Sequence, residues 1–200
     1  MNHARLAAGT VIALATCNAL AQTYTFESTG VITDFGSEFS GADMFPFVGL
    51  SAGDSLFYHF EYDISTAPTS STGLSTIWEI SGTNSYAMLG STRVDFDRIQ
   101  IVISSDGVSS GSLGFSGFVD AIGVSAGLGM DGSTPLAHEL PTSININDFT
   151  WARNAGANSD QNPLLFPIVM GTVDTVTIVP APGAMGMVIG GVYLFARRRR

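Results

Sequence analysis

Ser55-Leu56-Phe57-Tyr58-His59-Phe60-Glu61-Tyr62-Asp63-Ile64 decides the fold class. Leu56, Tyr58, Phe60, Tyr62 and Ile64 fall on one face, and Ser55, His59, Glu61 and Asp63 on the other, with Phe57 as the exception. Successive side chains of a strand point to opposite faces, so a period of two marks a strand with one face in a core and one toward water. Ile99, Ile101 and Ile103 alternate with Arg98 and Gln100 in the same way, and Ile144 and Ile146 with Asn145 and Asn147. Tyr24 to Ile32, Ile77 to Ile80, Val94 to Phe96, Leu113 to Val119 and Ile168 to Ile178 are further strand candidates.

Turn chemistry separates these runs: Ser51-Ala52-Gly53-Asp54, Ala67 to Gly73, Asp106-Gly107, Asp131-Gly132 and Asn154 to Asn162. Asp-Gly pairs permit the positive φ that tight turns require. The body carries no convincing amphipathic helix, fixed-period repeat or long linker. Short strands at this spacing predict an all-β domain over residues 22–178, a single β-sandwich of jelly-roll-like or barrel-like form. Val179 to Gly183 reads as a stalk, because two prolines and a glycine end the last strand.

Both ends read as processing segments. Met1 to Arg5 is a short basic start, Leu6 to Thr16 an apolar run too short to span a bilayer, and Ala19-Leu20-Ala21 supplies small residues for signal peptidase. The expected cut lies between Ala21 and Gln22, making residues 1–21 a signal peptide for the Sec translocon. Leu14-Ala15-Thr16-Cys17 is similar to a lipoprotein box, but Thr16 fits it poorly. Cys17 is the single cysteine, so the chain has no intramolecular disulfide or Cys-based zinc site. At the other end, Val179-Pro180-Ala181-Pro182 precedes an uncharged stretch, Gly183 to Ala196, and then Arg197, Arg198, Arg199 and Arg200. A transmembrane helix is expected at about 183–196, its arginines held on the cytoplasmic side by the positive-inside rule.

A proline-x-proline motif, a Gly-rich hydrophobic helix and a terminal arginine cluster resemble the PEP-CTERM sorting tail, here over 179–200. Pro180, Ala181 and Pro182 occupy the motif, with Ala181 where the named motif has Glu. The resemblance implies that an exosortase, an integral-membrane cysteine transpeptidase, recognises the tail and removes the helix. It further implies a transient inner-membrane precursor, a destination at the cell surface or outside the cell, and association with exopolysaccharide. Gly30-Val31-Ile32, Gly53-Asp54, Phe60-Glu61-Tyr62-Asp63 and Ser65-Thr66-Ala67-Pro68 look like the β-rich bodies of such proteins.

All eight basic residues are arginines, and residues 22–180 keep only Arg93, Arg98 and Arg153 against all 17 acids, a net charge of −14. Such a body repels phosphate backbones, which argues against a nucleic-acid partner. His59 and His138 lie in no metal-ligand spacing, and His59 beside Glu61 on a polar strand face is expected to be solvent-exposed. No Gly-x-Ser-x-Gly elbow is present. Glu27, Glu61, Glu79 and Glu139 are scattered, so a paired-carboxylate glycosidase site is not legible, and the acids read as solvated groups. Calcium is the one cofactor with candidate ligands, Asp95 and Asp97 with Asn145, Asn147 and Asp148. The competing reading pairs Asp95 and Asp97 with Arg93 and Arg98. Tyr58 and Tyr62 belong to the apolar face and hence the core, leaving Trp151 as the candidate glycan contact. The expectation is a non-enzymatic surface or extracellular-matrix protein with no catalytic residues. A carbohydrate-binding or adhesion module comes second and a secreted glycan-active enzyme third.

Overall fold

The computed structural model describes residues 23–35, 47, 49–120, 124–157 and 169–181. Ala19, Ala21, Gln22, Pro182 and Arg197 to Arg200 lie outside the described residues, as does the expected membrane helix. The strands are β1 (Thr23–Phe35), β2 (Ser55–Asp63), β3 (Ser70–Ser71), β4 (Ser75–Ser81), β5 (Tyr86–Leu89), β6 (Thr92–Asp95), β7 (Arg98–Ser105), β8 (Gly111–Val119), β9 (Val124–Gly132), β10 (Trp151–Ala157), β11 (Val169–Gly171) and β12 (Thr175–Pro180). No α-helix occurs among the described residues, and none of their helices is long and apolar enough to cross a membrane.

The twelve strands form one antiparallel sheet in the order β3-β4-β7-β8-β9-β10-β11-β1-β2-β5-β6, with β12 beside β1. β1 joins its two arms. Thr23 to Val31 pair with β2 and Tyr24 to Thr29 with β12, whereas Ile32, Asp34 and Phe35 pair with β11 across a register irregularity. Gly30, two residues before β1 begins to pair with β11, is where any Cβ would overlap the Thr172 carbonyl oxygen. Glycine is required there by close backbone approach.

Alternation delivers the core. Leu56, Tyr58, Phe60 and Tyr62 of β2 are buried, as are Ile99, Ile101 and Ile103 of β7. Rings from the two arms meet: Phe26 of β1 stacks on Phe115 of β8 at 4.0 Å between centroids, and Phe60 and Tyr62 lie 5.6 and 5.9 Å from the same ring. Each such ring, removed from water, contributes roughly 1.5–3 kcal/mol to the contact between the arms. Tyr58 donates its hydroxyl to the Ala155 carbonyl at 3.3 Å, and burial pushes the phenols of Tyr58 and Tyr62 upward in pKa.

Several sequence expectations are corrected. Ile144 and Ile146 are not in a strand: Ile146–Asp148 is a 3₁₀ turn, capped by the Asn145 side chain accepting the Asn147 N–H. Asn's own side chain competes with a ladder there. Asn154 to Ala157, read as turn, belong to β10, and Asp131-Gly132 ends β9 rather than turning. The single run from Ile168 to Ile178 is two strands, interrupted at Thr172, whose N–H bonds Val31 O, and at Asp174, whose N–H bonds Thr29 O. The stalk begins later than expected, since Val179 and Pro180 are still in β12 and the Ala181 N–H donates to Thr23 O at 3.0 Å. Pro180 is tolerated because its missing N–H faces away from β1 on an edge strand.

Candidate functional site

Two surfaces carry grouped polar and aromatic chemistry. On the outer face of β12-β1-β2-β5-β6, register aligns Thr177, Glu27, His59, Tyr86 and Asp95 in one row across five strands. His59 Nδ1 lies 3.1 Å from Glu27 Oε1, and its ring stacks on Tyr86 at 4.8 Å. From the β6 side the Arg93 guanidinium sits 3.7 Å from the Tyr86 centroid and 2.7 Å from Asp95 Oδ1. That hydrogen bond to Asp95 holds Arg93 above its ordinary pKa. Neighbours on both flanking strands occupy Tyr86, so the row is a self-satisfied platform rather than an open stacking site. The expectation of an exposed His59 beside Glu61 is corrected: its side chain is 19% exposed and bonded to Glu27 on the neighbouring strand.

The second surface is a cavity of about 300 Å³ where the connection over residues 133–149 closes one end of the core. Three contacts fix the connection. Tyr62 donates its hydroxyl to the Pro141 carbonyl at 2.6 Å, Thr76 Oγ1 lies 2.9 Å from His138 Nδ1, and the Leu136 N–H donates to Ser105 Oγ at 3.2 Å. Gly111 lets the segment come close, since a Cβ there would press on Leu136 and the Thr134 carbonyl. Ile103 and Leu113 line the cavity with Leu136, Ile144 and Phe149, as do the polar groups of Glu139, Ser143, Asn145 and Asp148. Among the described residues no basic side chain lines it. An apolar wall with one aromatic ring and a border of hydroxyl, amide and carboxylate groups suits a neutral polyhydroxyl ligand, whose C–H face needs apolar contact and whose hydroxyls need acceptors.

The calcium candidates occupy separate, internally bonded settings. Asp95 is held by Arg93, and Asp97 Oδ2 accepts the Asp120 N–H at 2.9 Å. Asn145 Nδ2 donates to Asp148 Oδ1 at 3.1 Å, and Asn147 Nδ2 donates to Asn145 Oδ1 at 3.1 Å. No group of three or more His, Cys, Asp or Glu side chains fit to hold a metal occurs among the described residues. Arg98 pairs with Asp120 at 3.0 Å and lies over the Phe118 ring, not with Asp97. Of the scattered glutamates, Glu61 is approached by Asn84 Nδ2 and Glu79 by Gln100 Nε2, and Glu139 lines the cavity with Asp148.

Trp151 opens β10 opposite Asp131, 40% exposed, with the Arg153 guanidinium 4.9 Å from its ring. Trp78 is buried. The cavity escaped sequence reading because the alternation at Ile144 and Ile146 imitated a strand. Pro135 and Pro141, which cannot donate to a ladder, were the available warning. No protein-family model, no curated protein and no solved structure matches this chain.

Proposed function

We propose that the chain is an exported, non-enzymatic surface or extracellular-matrix protein, a β-sandwich sorted through its C-terminal tail by an exosortase-like transpeptidase. One observation carries the reading: Thr23 and Ala181 are hydrogen-bonded neighbours. The described residues nearest the expected signal-peptide cut and the Pro180-Ala181-Pro182 motif therefore lie side by side. Cuts before Thr23 and after Ala181 would leave every strand of the described fold in place. A precursor held at the inner membrane by residues 183–196 would present its acidic body outside, with Arg197 to Arg200 inside. The termini of the protein recovered from its host test this. Loss of residues 1–21 and of the arginine cluster is expected, and a retained cluster would count against it.

The cavity favours a second reading, a carbohydrate-binding module. The Phe149 ring offers the apolar contact, and Asn145, Asp148 and Glu139 offer hydrogen bonds to sugar hydroxyls. Titration with neutral oligosaccharides, followed by NMR, is expected to shift Ile103, Leu113 and Phe149. Asp148→Ala should weaken the binding about tenfold, the equivalent of one lost charged hydrogen bond. Shifts centred on Trp151 instead would relocate the site, and no shifts with any sugar would remove the reading.

A further inference from the structure

We propose that β12 is a self-association edge, pairing antiparallel with β12 of a second copy about a two-fold axis. Among the described residues the sheet has three unpaired edges, and two of them are blunted. β3 has two residues, and β6 has four, including Arg93 and Asp95. Short or charged edges are how sheets avoid further pairing. β12 is different: Thr175-Val176-Thr177-Ile178-Val179-Pro180 carries no charge, and its first five residues are all β-branched. Among the described residues it pairs only with β1, and Val179 is 45% exposed.

The ladder fixes which groups are free. Ala181 N–H donates to Thr23 O while Pro180 stands opposite Tyr24, so Pro180–Tyr24 is a non-hydrogen-bonded pair. Counting back, Thr175, Thr177 and Val179 turn their backbone groups to β1, and Val176, Ile178 and Pro180 turn theirs outward. In a two-fold pairing, Val176 opposite Ile178 of a second copy lets each pair exchange both N–H···O bonds. Shifting the axis onto Ile178 would set Val176 against Pro180, which has no N–H, so this register is disfavoured. The favoured one places Thr177 against Thr177 across the axis.

Self-complementarity argues for a like copy: the outward groups of Val176 and Ile178 satisfy their own equivalents, and the uncharged strip sets no like charges against each other. In a body of net charge −14, β12 is a neutral strip by which two copies can approach. Asp174, just before the strand, would lie opposite Pro180 rather than opposite its own equivalent. The nearest acid beside the axis, Glu27 across from Thr177, would sit three strand spacings from its counterpart, roughly 14 Å. That exceeds the Debye length of about 10 Å at 0.1 M salt.

Cross-linking in the full chain with Cys17→Ser tests both pairing and register. At a non-hydrogen-bonded pair the Cα atoms are about 4.5 Å apart, within disulfide range. Thr177→Cys is expected to oxidise to a covalent dimer, while Thr175→Cys or Val179→Cys alone does not and a mixture of those two does. Wild-type protein should shift from monomer to dimer mass with concentration in sedimentation equilibrium. Thr177→Cys dimerising no faster than the exposed control Leu74→Cys, cross-linking only to a different protein, or a wild-type mass that stays monomeric to the solubility limit would each overturn the proposal.

Discussion

Asp106 accepts the N–H groups of Val108, Ser109 and Ser110 on Oδ1 and the Ser109 hydroxyl on Oδ2, closing the turn between β7 and β8 with Gly107 at φ 71°. Those four donors hold its carboxyl well below the usual carboxylate range. A folded-state pKa lower than the unfolded one, about 3.9, gives stability that is present above that value and lost as pH falls below it. An acid titration followed by NMR is expected to show the Val108 to Ser110 amides unchanged through pH 4. In Asp106→Ala the same amides should exchange faster at neutral pH; equal exchange would contradict the assignment. At this scale the sequence was informative where local chemistry decides, as in the Asp106-Gly107 turn. It was uninformative where a neighbour strand decides. His59 stands two residues from Glu61, yet its partner is Glu27, 32 positions away, and no local pattern encodes a cross-strand register.

The elements were legible in proportion to their side-chain volume. β2 and β7 alternate large apolar and polar groups and were read directly. β9, Val-Ser-Ala-Gly-Leu-Gly-Met-Asp-Gly, and β10, Trp-Ala-Arg-Asn-Ala-Gly-Ala, are built from small residues with weak strand preference and were missed. They are strands because neighbours crowd them: a Cβ on Gly127 would overlap the Phe115 carbonyl, so β8 and β9 can approach only over glycine. Gly30 sets the same condition in β1, against the Thr172 carbonyl. Gly30→Ala is expected to destabilise the domain by roughly 1–3 kcal/mol through overpacking against Thr172 and Asn154. A denaturation midpoint within error of the parent would show that the close approach does not require glycine.

Across the whole molecule, the all-β class followed from alternation, but the closure of one end by residues 133–149 and the cavity it makes did not. That segment is held by contacts of long sequence separation, Tyr62 to Pro141 and Thr76 to His138. The convergence of Thr23 and Ala181 was likewise invisible until β1 and β12 were seen to be partners. On the proposed processing, removal of Arg5 and the four terminal arginines would carry the chain from a net −9 to the −14 body. A net charge of −14 opposes contact with anionic surfaces, and the uncharged β12 edge is the exception on that body. Intact-mass spectrometry of the protein from its host addresses the central claim most directly. The account predicts a species beginning at Gln22 and lacking Arg197 to Arg200, and a species at the full 20.9 kDa, or one acylated at Cys17, would contradict it.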